Sequence, residues 1–152
     1  MIRPILQHPD PLLRRTCAPV PDISEALKTL AADMLDTMYD APGRGLAAPQ
    51  IGELIRMFVM DTTWKEGTPA PVVFVNPRII AAAPERQINE EACLSIPAQA
   101  LRVARPSWVD VAWTDLDGTE CHQRFDGFAA ACICHENDHL DGILILDHEV
   151  AA

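Results

Sequence analysis

The sequence predicts an α+β fold: short, mostly antiparallel strands around a buried central helix, with an amphipathic helix near the N-terminus. Three observations predict it. Apolar side chains recur at helical spacing over residues 24–39. The middle of the chain breaks into β-rich runs separated by turn residues, and its thirteen prolines are spread out. Residues 127–140 return to a helical pattern that is apolar on nearly every side, as a helix inside a core must be. At 152 residues the chain fits one domain, 1–152, with enough apolar sequence for a real core.

In chain order, residues 1–22 read as an extended arm punctuated by proline. In the helix that follows, Leu27, Leu30, Ala31, Met34 and Met38 form one buried face. Asp22 with Glu25 three residues on is a start signal, and Asp40-Ala41-Pro42-Gly43 ends it. A glycine-bearing loop runs from Gly43 to Gly52. Strands are expected at Ile55–Met60, Val72–Asn76, Arg78–Ala83, Leu101–Ala104 and Trp108–Thr114. Asp117-Gly118 marks a hairpin whose return strand lies near Glu120–Phe125. Asp126 is placed to cap the last helix and Gly142 to stop it. On that helix Phe128, Ala131, Cys132, His135 and His139 share the inward face.

Composition excludes several function classes. A net charge of −10 with twelve scattered basic residues disfavours nucleic acid and anionic membrane as partners. No apolar run approaches the roughly 18 residues of a membrane span, and no secretory leader is visible, so the cytoplasm is the expected compartment. Five cysteines, an odd number, argue against a disulfide framework. Four of them are expected to be small buried hydrophobes.

The fifth, Cys93, belongs to the chemistry. His135-Glu136-Asn137-Asp138-His139 is H-E-x-x-H on a helix, which puts two histidines one turn apart on one face, able to hold one ion together. Glu136 between them is costly to bury unless it handles a proton. Two histidines leave a catalytic ion one protein ligand short. Downstream, Ile145 stands where a third histidine of the H-E-x-x-H-x-x-G-x-x-H pattern would be, and thirteen residues after His139 leave no room for a further ligand helix. The third ligand must lie upstream, and Cys93, entering an extended segment, suits a borderline-soft divalent ion.

Three stretches together resemble the peptide deformylases. Gly43-Arg44-Gly45-Leu46-Ala47-Ala48-Pro49-Gln50 is similar to the family's G-x-G-x-A-A-x-Q, Glu91-Ala92-Cys93-Leu94-Ser95 to E-G-C-x-S, and residues 135–139 to H-E-x-D-H, with Leu140 and Gly142 in place. The opening His8-Pro9-Asp10-Pro11-Leu12-Leu13-Arg14 is similar too, so the likeness covers nearly the whole chain. It implies a hydrolase that removes the formyl group from N-formylmethionyl peptides or nascent chains. The ion it implies is ferrous, replaceable by zinc, nickel or cobalt. By the same resemblance Cys93, His135 and His139 are the ligands, Glu136 the acid/base, and Gln50 and the Leu94 main-chain N–H the donors to the oxyanion.

Other roles stay open between two readings. Gln50 could instead satisfy local main chain at a turn. Gly43 and Gly45 are turn glycines, or let substrate main chain come close. Glu91 and Asp138 orient ligands, or are buried ion-pair members. Phe128, Ala131 and Cys132 line a methionine pocket, or pack the core. The sequence departs from the family pattern at Ala92, in place of glycine, where a positive φ would strain an alanine and an extended backbone would put its methyl on the substrate's path. Ala98 replaces the glycine expected after Ser-Ile-Pro, and Cys134 a common glutamine. A different formylated or acylated amine as substrate, or a non-catalytic metal- or peptide-binding role, are the alternatives that these departures raise. The C-terminus, ending soon after the motif helix, and the acidic charge weigh against docking to the ribosome. A monomer is the default expectation.

Overall fold

The computed structural model describes residues 1–149. Helix α1 is Glu25–Asp40 and helix α2 is Gly127–Leu140. Seven strands lie between and around them: β1 Gly45–Ala47, β2 Met57–Met60, β3 Val72–Ala82, β4 Arg86–Cys93, β5 Ile96–Pro106, β6 Trp108–Thr114 and β7 Glu120–Asp126. They form a five-stranded sheet in the order β1-β2-β3-β6-β7 and a two-stranded sheet of β4 and β5. Every strand pairing is antiparallel. Helix α2 packs against strands of both sheets. The expected architecture is the observed one.

The α1 face read from the sequence is buried as expected. Its cap is Ser24 rather than the Asp22 of the start signal. Ser24 is the residue directly before the helix, in extended backbone, and its Oγ accepts from the Leu27 N–H at 3.1 Å. Asp126 occupies the cap position of α2, but its side chain makes no capping hydrogen bond.

Strand β3 joins two runs that the sequence separates. The break lies at Asn76-Pro77, where Asn76 takes φ +49 and the ladder register shifts between Val75 and Arg78. Proline offers no N–H, so the strand bulges there and continues. Two strands were not expected. β1 is three residues long and becomes a strand by pairing Leu46 with Val59. β4 is mostly polar, with only Glu91 and Cys93 buried, so it lacks the apolar alternation that marks a strand.

The core has three parts. Ala130, Ile133, Cys134 and Leu140 of α2 pack on Phe58, Phe74, Val109, Val111 and Trp113, with Phe58 and Phe74 stacked at 4.6 Å. Helix α1 covers Leu46, Met57, Val59 and Val75. Leu13, Cys93, Ile96, Val103, Leu144 and Ile145 form a third cluster beside the β4–β5 hairpin. All five cysteines are free, and Cys17, Cys132 and Cys134 are buried as expected. Cys121 is not. It is half-buried, with its thiol 3.7 Å from Asp115 Oδ2. No helix among the described residues is long and apolar enough to cross a membrane.

Candidate active site

Helix α2 supplies His135, Glu136 and His139, and the end of β4 supplies Cys93. All four are buried. The hairpin that carries Cys93 turns through Leu94 and Ser95 into β5. Ligand atoms of Cys93, His135 and His139 all lie within 4.8 Å of one another. Cys93 Sγ is 3.4 Å from His139 Nε2.

A second layer holds these groups. His135 Nδ1 is 3.0 Å from Glu91 Oε1. A carboxylate only accepts, so Nδ1 carries a hydrogen and Nε2 is the nitrogen left to ligate an ion. Glu91 in turn receives Arg105 Nε and Nη2, each at 2.8 Å. Arg105 Nη1 donates to Asp138 Oδ2 at 2.7 Å. Burial raises the Glu91 carboxyl, but the hydrogen bonds from Arg105 and His135 outweigh it and hold the group down at about 2. Glu91 and Asp138 therefore form ion pairs, and Glu91 also fixes the tautomer of His135.

Glu136 lies in the same cavity, and burial pushes its carboxyl up to about 7. Such a group gives or takes a proton near neutrality. Its Oε1 is buried without a hydrogen-bond partner among the described residues. An orphaned polar atom of this kind is costly and points to a ligand. A thiol and two imidazoles converging at this spacing are a donor set for a tetrahedral divalent ion that keeps one position open. The residues present fit such an ion. Cys132 and Cys134 take no part in this set, and burial pushes both thiols up, Cys134 to about 11.

The cleft, about 340 Å³, is lined on one side by Pro42, Gly43, Arg44, Gly45 and Gln50, and on the other by Ala92, Cys93 and Leu94. Ala131, Cys132, His135 and Glu136 of α2 form its floor, and Phe128 stands half-exposed at the rim. Cys132 belongs to the core as well, so both of its readings hold. Gln50 is fully buried. Its Oε1 accepts from the Ala47 N–H at 2.9 Å, and its Nε2 donates to Ser95 Oγ at 3.0 Å. The local-turn reading is thus correct for the oxygen, while the amide nitrogen has a second hydrogen and lies 3.7 Å from Cys93 Sγ.

Gly45 proves to be a close-approach glycine, though the approaching group is not the one expected. A Cβ there would sit 2.5 Å from Glu136 Oε2, so the protein's own carboxylate fills the space. At Gly43 a Cβ would meet the Leu94 side chain at 2.8 Å. Ala92 lies in β4 and is exposed in the cleft wall, and the described non-glycine residues with positive φ are Asn76 and Ala98. The strain foreseen at Ala92 is absent. It falls on Ala98, at φ +59.

Arg105 is the residue that the sequence reading missed. A signal was present: Leu101, Val103 and Arg105 share one face of β5 at a spacing of two, and an arginine on an inward face demands carboxylate partners. Arg44 was also unforeseen. It pairs with Glu66 at 2.9 Å and lies over the Phe128 ring at 5.5 Å.

Comparison with known proteins bears on the family and the fold. The family described as polypeptide deformylase matches residues 2–151. The peptide deformylases of Mesorhizobium japonicum and Brucella suis are each 49% identical to this chain, over 147 and 148 residues, which is 97% of this chain and 84% of each relative. The crystal structure of the Thermotoga maritima peptide deformylase superposes with a TM-score of 0.93 at 36% identity, covering 100% of this chain and 99% of that one. An Acinetobacter baumannii peptide deformylase with Met-Ala-Ser bound superposes at 0.91 and 32% identity, over 98% of this chain and 99% of its own.

Proposed function

This chain belongs to the peptide deformylase family, metal-dependent hydrolases that remove the N-formyl group from nascent peptides, and on that premise we propose how its residues divide the work. Cys93, His135 and His139 hold one divalent ion, ferrous in the cell, with zinc, nickel or cobalt able to replace it. The observation that carries this assignment is the convergence of the three ligand atoms within 4.8 Å, beside the buried Glu136 carboxylate. When bound, the ion supplies Lewis acidity that makes a water nucleophilic near neutral pH.

Glu136 takes the proton of the attacking water and passes it to the departing amine. Its environment suits both tasks, since a carboxyl raised to about 7 is basic enough to accept and acidic enough to give back. The Gln50 Nε2 hydrogen and the Leu94 N–H donate to the oxygen that becomes negative as the formyl carbon turns tetrahedral, each worth roughly 10²–10³ in rate. Gln50 is held for this by Ala47 and Ser95. Glu91 orients His135, and Asp138 acts through Arg105.

The substrate's methionine side chain enters among Phe128, Ala131 and Cys132, and its main chain runs past Gly43, Gly45 and Ala92. The Met-Ala-Ser bound by the Acinetobacter protein supports a peptide of this kind. We place the enzyme in the cytoplasm, as a monomer formed of one catalytic unit over the whole chain. It meets N-formylated peptides or nascent-chain N-termini without nucleic acid or membrane as a partner, and the net charge of −10 weighs against docking to the ribosome.

The test is amine release from formyl-Met-Ala-Ser by protein prepared anaerobically with ferrous or cobalt ion. Wild type should turn over. Glu136→Ala should keep one ion per chain and lose activity, and Cys93→Ala should lose the ion. An active Glu136→Ala protein would sink the assignment.

A further inference from the structure

Beyond the candidate ligands, one side chain from the segment that follows α2 reaches the same network. His148 follows a short 3-10 turn, Ile145–Asp147, which seats Leu144 and Ile145 in the same apolar cluster as Cys93. Two further ties fix the turn: Arg14 pairs with Asp147, and the Leu144 N–H donates to Asp147 Oδ2 at 2.9 Å. From this anchored base His148 Nε2 lies 2.8 Å from Asp138 Oδ2. Arg105 Nη1 lies 2.7 Å from that same oxygen. Arginine cannot accept, and Asp138 cannot donate when ionised, so His148 Nε2 carries a hydrogen and both groups donate to Oδ2. The 3.4 Å between Nη1 and Nε2 is then two donors converging on one acceptor.

The donor count shows why this matters. Arg105, 4% exposed, is shared by two carboxylates, Glu91 and Asp138. Glu91 receives two hydrogen bonds from Arg105 and a third from His135, whereas Asp138 receives one from Arg105, and His148 supplies its second donor. With Asp138 held, Arg105 is gripped at both ends of its guanidinium. Glu91 is then fixed by two bonds, and it fixes the His135 ring.

We propose that His148 is a positioning residue for the Cys93–His135–His139 centre, acting through Asp138, Arg105 and Glu91. The inference rests on the ligand assignment proposed above. A carboxylate bonded directly to a ligating imidazole, the place Glu91 takes beside His135, is worth roughly 10–100-fold in metal affinity, and His148 steadies the chain of groups that holds it.

The experiment loads wild type, His148→Phe and His148→Gln with cobalt. Phenylalanine keeps a ring of similar size and removes the donor, whereas glutamine keeps an N–H for Asp138. Three quantities are read: the thiolate-to-cobalt absorption band, the rate of cobalt release to a chelator, and the thermal unfolding of the metal-free proteins. The expected result is a shifted band and release about tenfold faster or more in His148→Phe. His148→Gln should return to within about twofold of wild type. Wild-type release from His148→Phe overturns the proposal. So does faster release in both variants in step with lowered unfolding temperature, because that is general loosening. Wild-type protein that shows no thiolate band overturns the ligand assignment itself, and an unchanged band and release rate in His148→Phe overturns the role of His148 alone.

Discussion

At Gly45 the backbone passes so close to Glu136 that a methyl group would occupy the carboxylate's place. Gly45→Ala should therefore push the acid/base group out of line while leaving Cys93, His135 and His139 untouched. A displacement near 1 Å costs on the order of 10² in rate. The expected outcome is a kcat lower by about that factor with one cobalt still bound per chain, and an unchanged kcat would show that Glu136 has room to adjust. The cluster of Cys93, His135 and His139 was legible in the sequence: a spacing of four on a helix brings the two histidines together, and the resemblance to the deformylase motifs picks out the cysteine. Arg105 was far less legible, since its meaning depends on carboxylates fourteen and thirty-three positions away. Ala92 and Ala98 show the same limit. Both stand where glycine was expected, yet only the backbone reveals that the left-handed conformation, worth roughly 1–2 kcal/mol of strain in an alanine, belongs to Ala98.

Among the elements, β6 was read to the residue because its alternation is uncompromised, and α2 because Asp126 and Gly142 bracket its apolar run. β1 and β4 escaped. Each is made a strand by its partner, and a polar strand in a two-stranded sheet carries no apolar alternation to read. The loop after β2 was likewise silent, yet it braces one wall of the cleft. The 3-10 turn Trp64–Glu66 sends the Trp64 indole N–H to the Gly43 carbonyl at 2.9 Å. Tyr39 at the end of α1 meets Trp64 edge-on at 5.2 Å and donates to Asp61 Oδ2 at 2.6 Å. Burial and the Asp61 carboxylate push the Tyr39 hydroxyl up from 10 to about 12. Because the folded value is the higher one, the stabilisation from this contact is complete below pH 10 and is lost as the pH rises through about 12. Tyr39 is the chain's single tyrosine, so phenolate absorbance reads it directly. Folded protein should titrate near 12 and Asp61→Asn protein lower, burial still holding it above the ordinary phenol. Coincident curves would mean that the contact does not hold the loop.

On the scale of the molecule, Cys93 comes from the two-stranded sheet, and His135 and His139 from the helix that packs on both sheets. An ion bound only by the folded chain stabilises it by about 2.7 kcal/mol at a hundred times its dissociation constant. Cobalt-loaded protein should therefore unfold roughly 5–10 °C above the same protein treated with chelator. Equal unfolding temperatures would show that the ion is not held by the fold.

The N-terminal arm makes two hydrogen bonds whose joint effect lies in their spacing. The Leu6 N–H donates to the Gln50 carbonyl at 2.7 Å, and the His8 N–H donates to the Ser95 carbonyl at 2.8 Å. Gln50 belongs to one wall of the cleft, and Ser95 follows directly on Leu94 in the other. Two residues of extended backbone span roughly 7 Å, a length set by covalent bonds. The arm thus works as a gauge block between Gln50 and Leu94, the two groups proposed to hold the oxyanion. Their separation is calibrated by a segment that touches no reacting atom, and an inserted or deleted residue between Leu6 and His8 would reset it where a changed side chain would not.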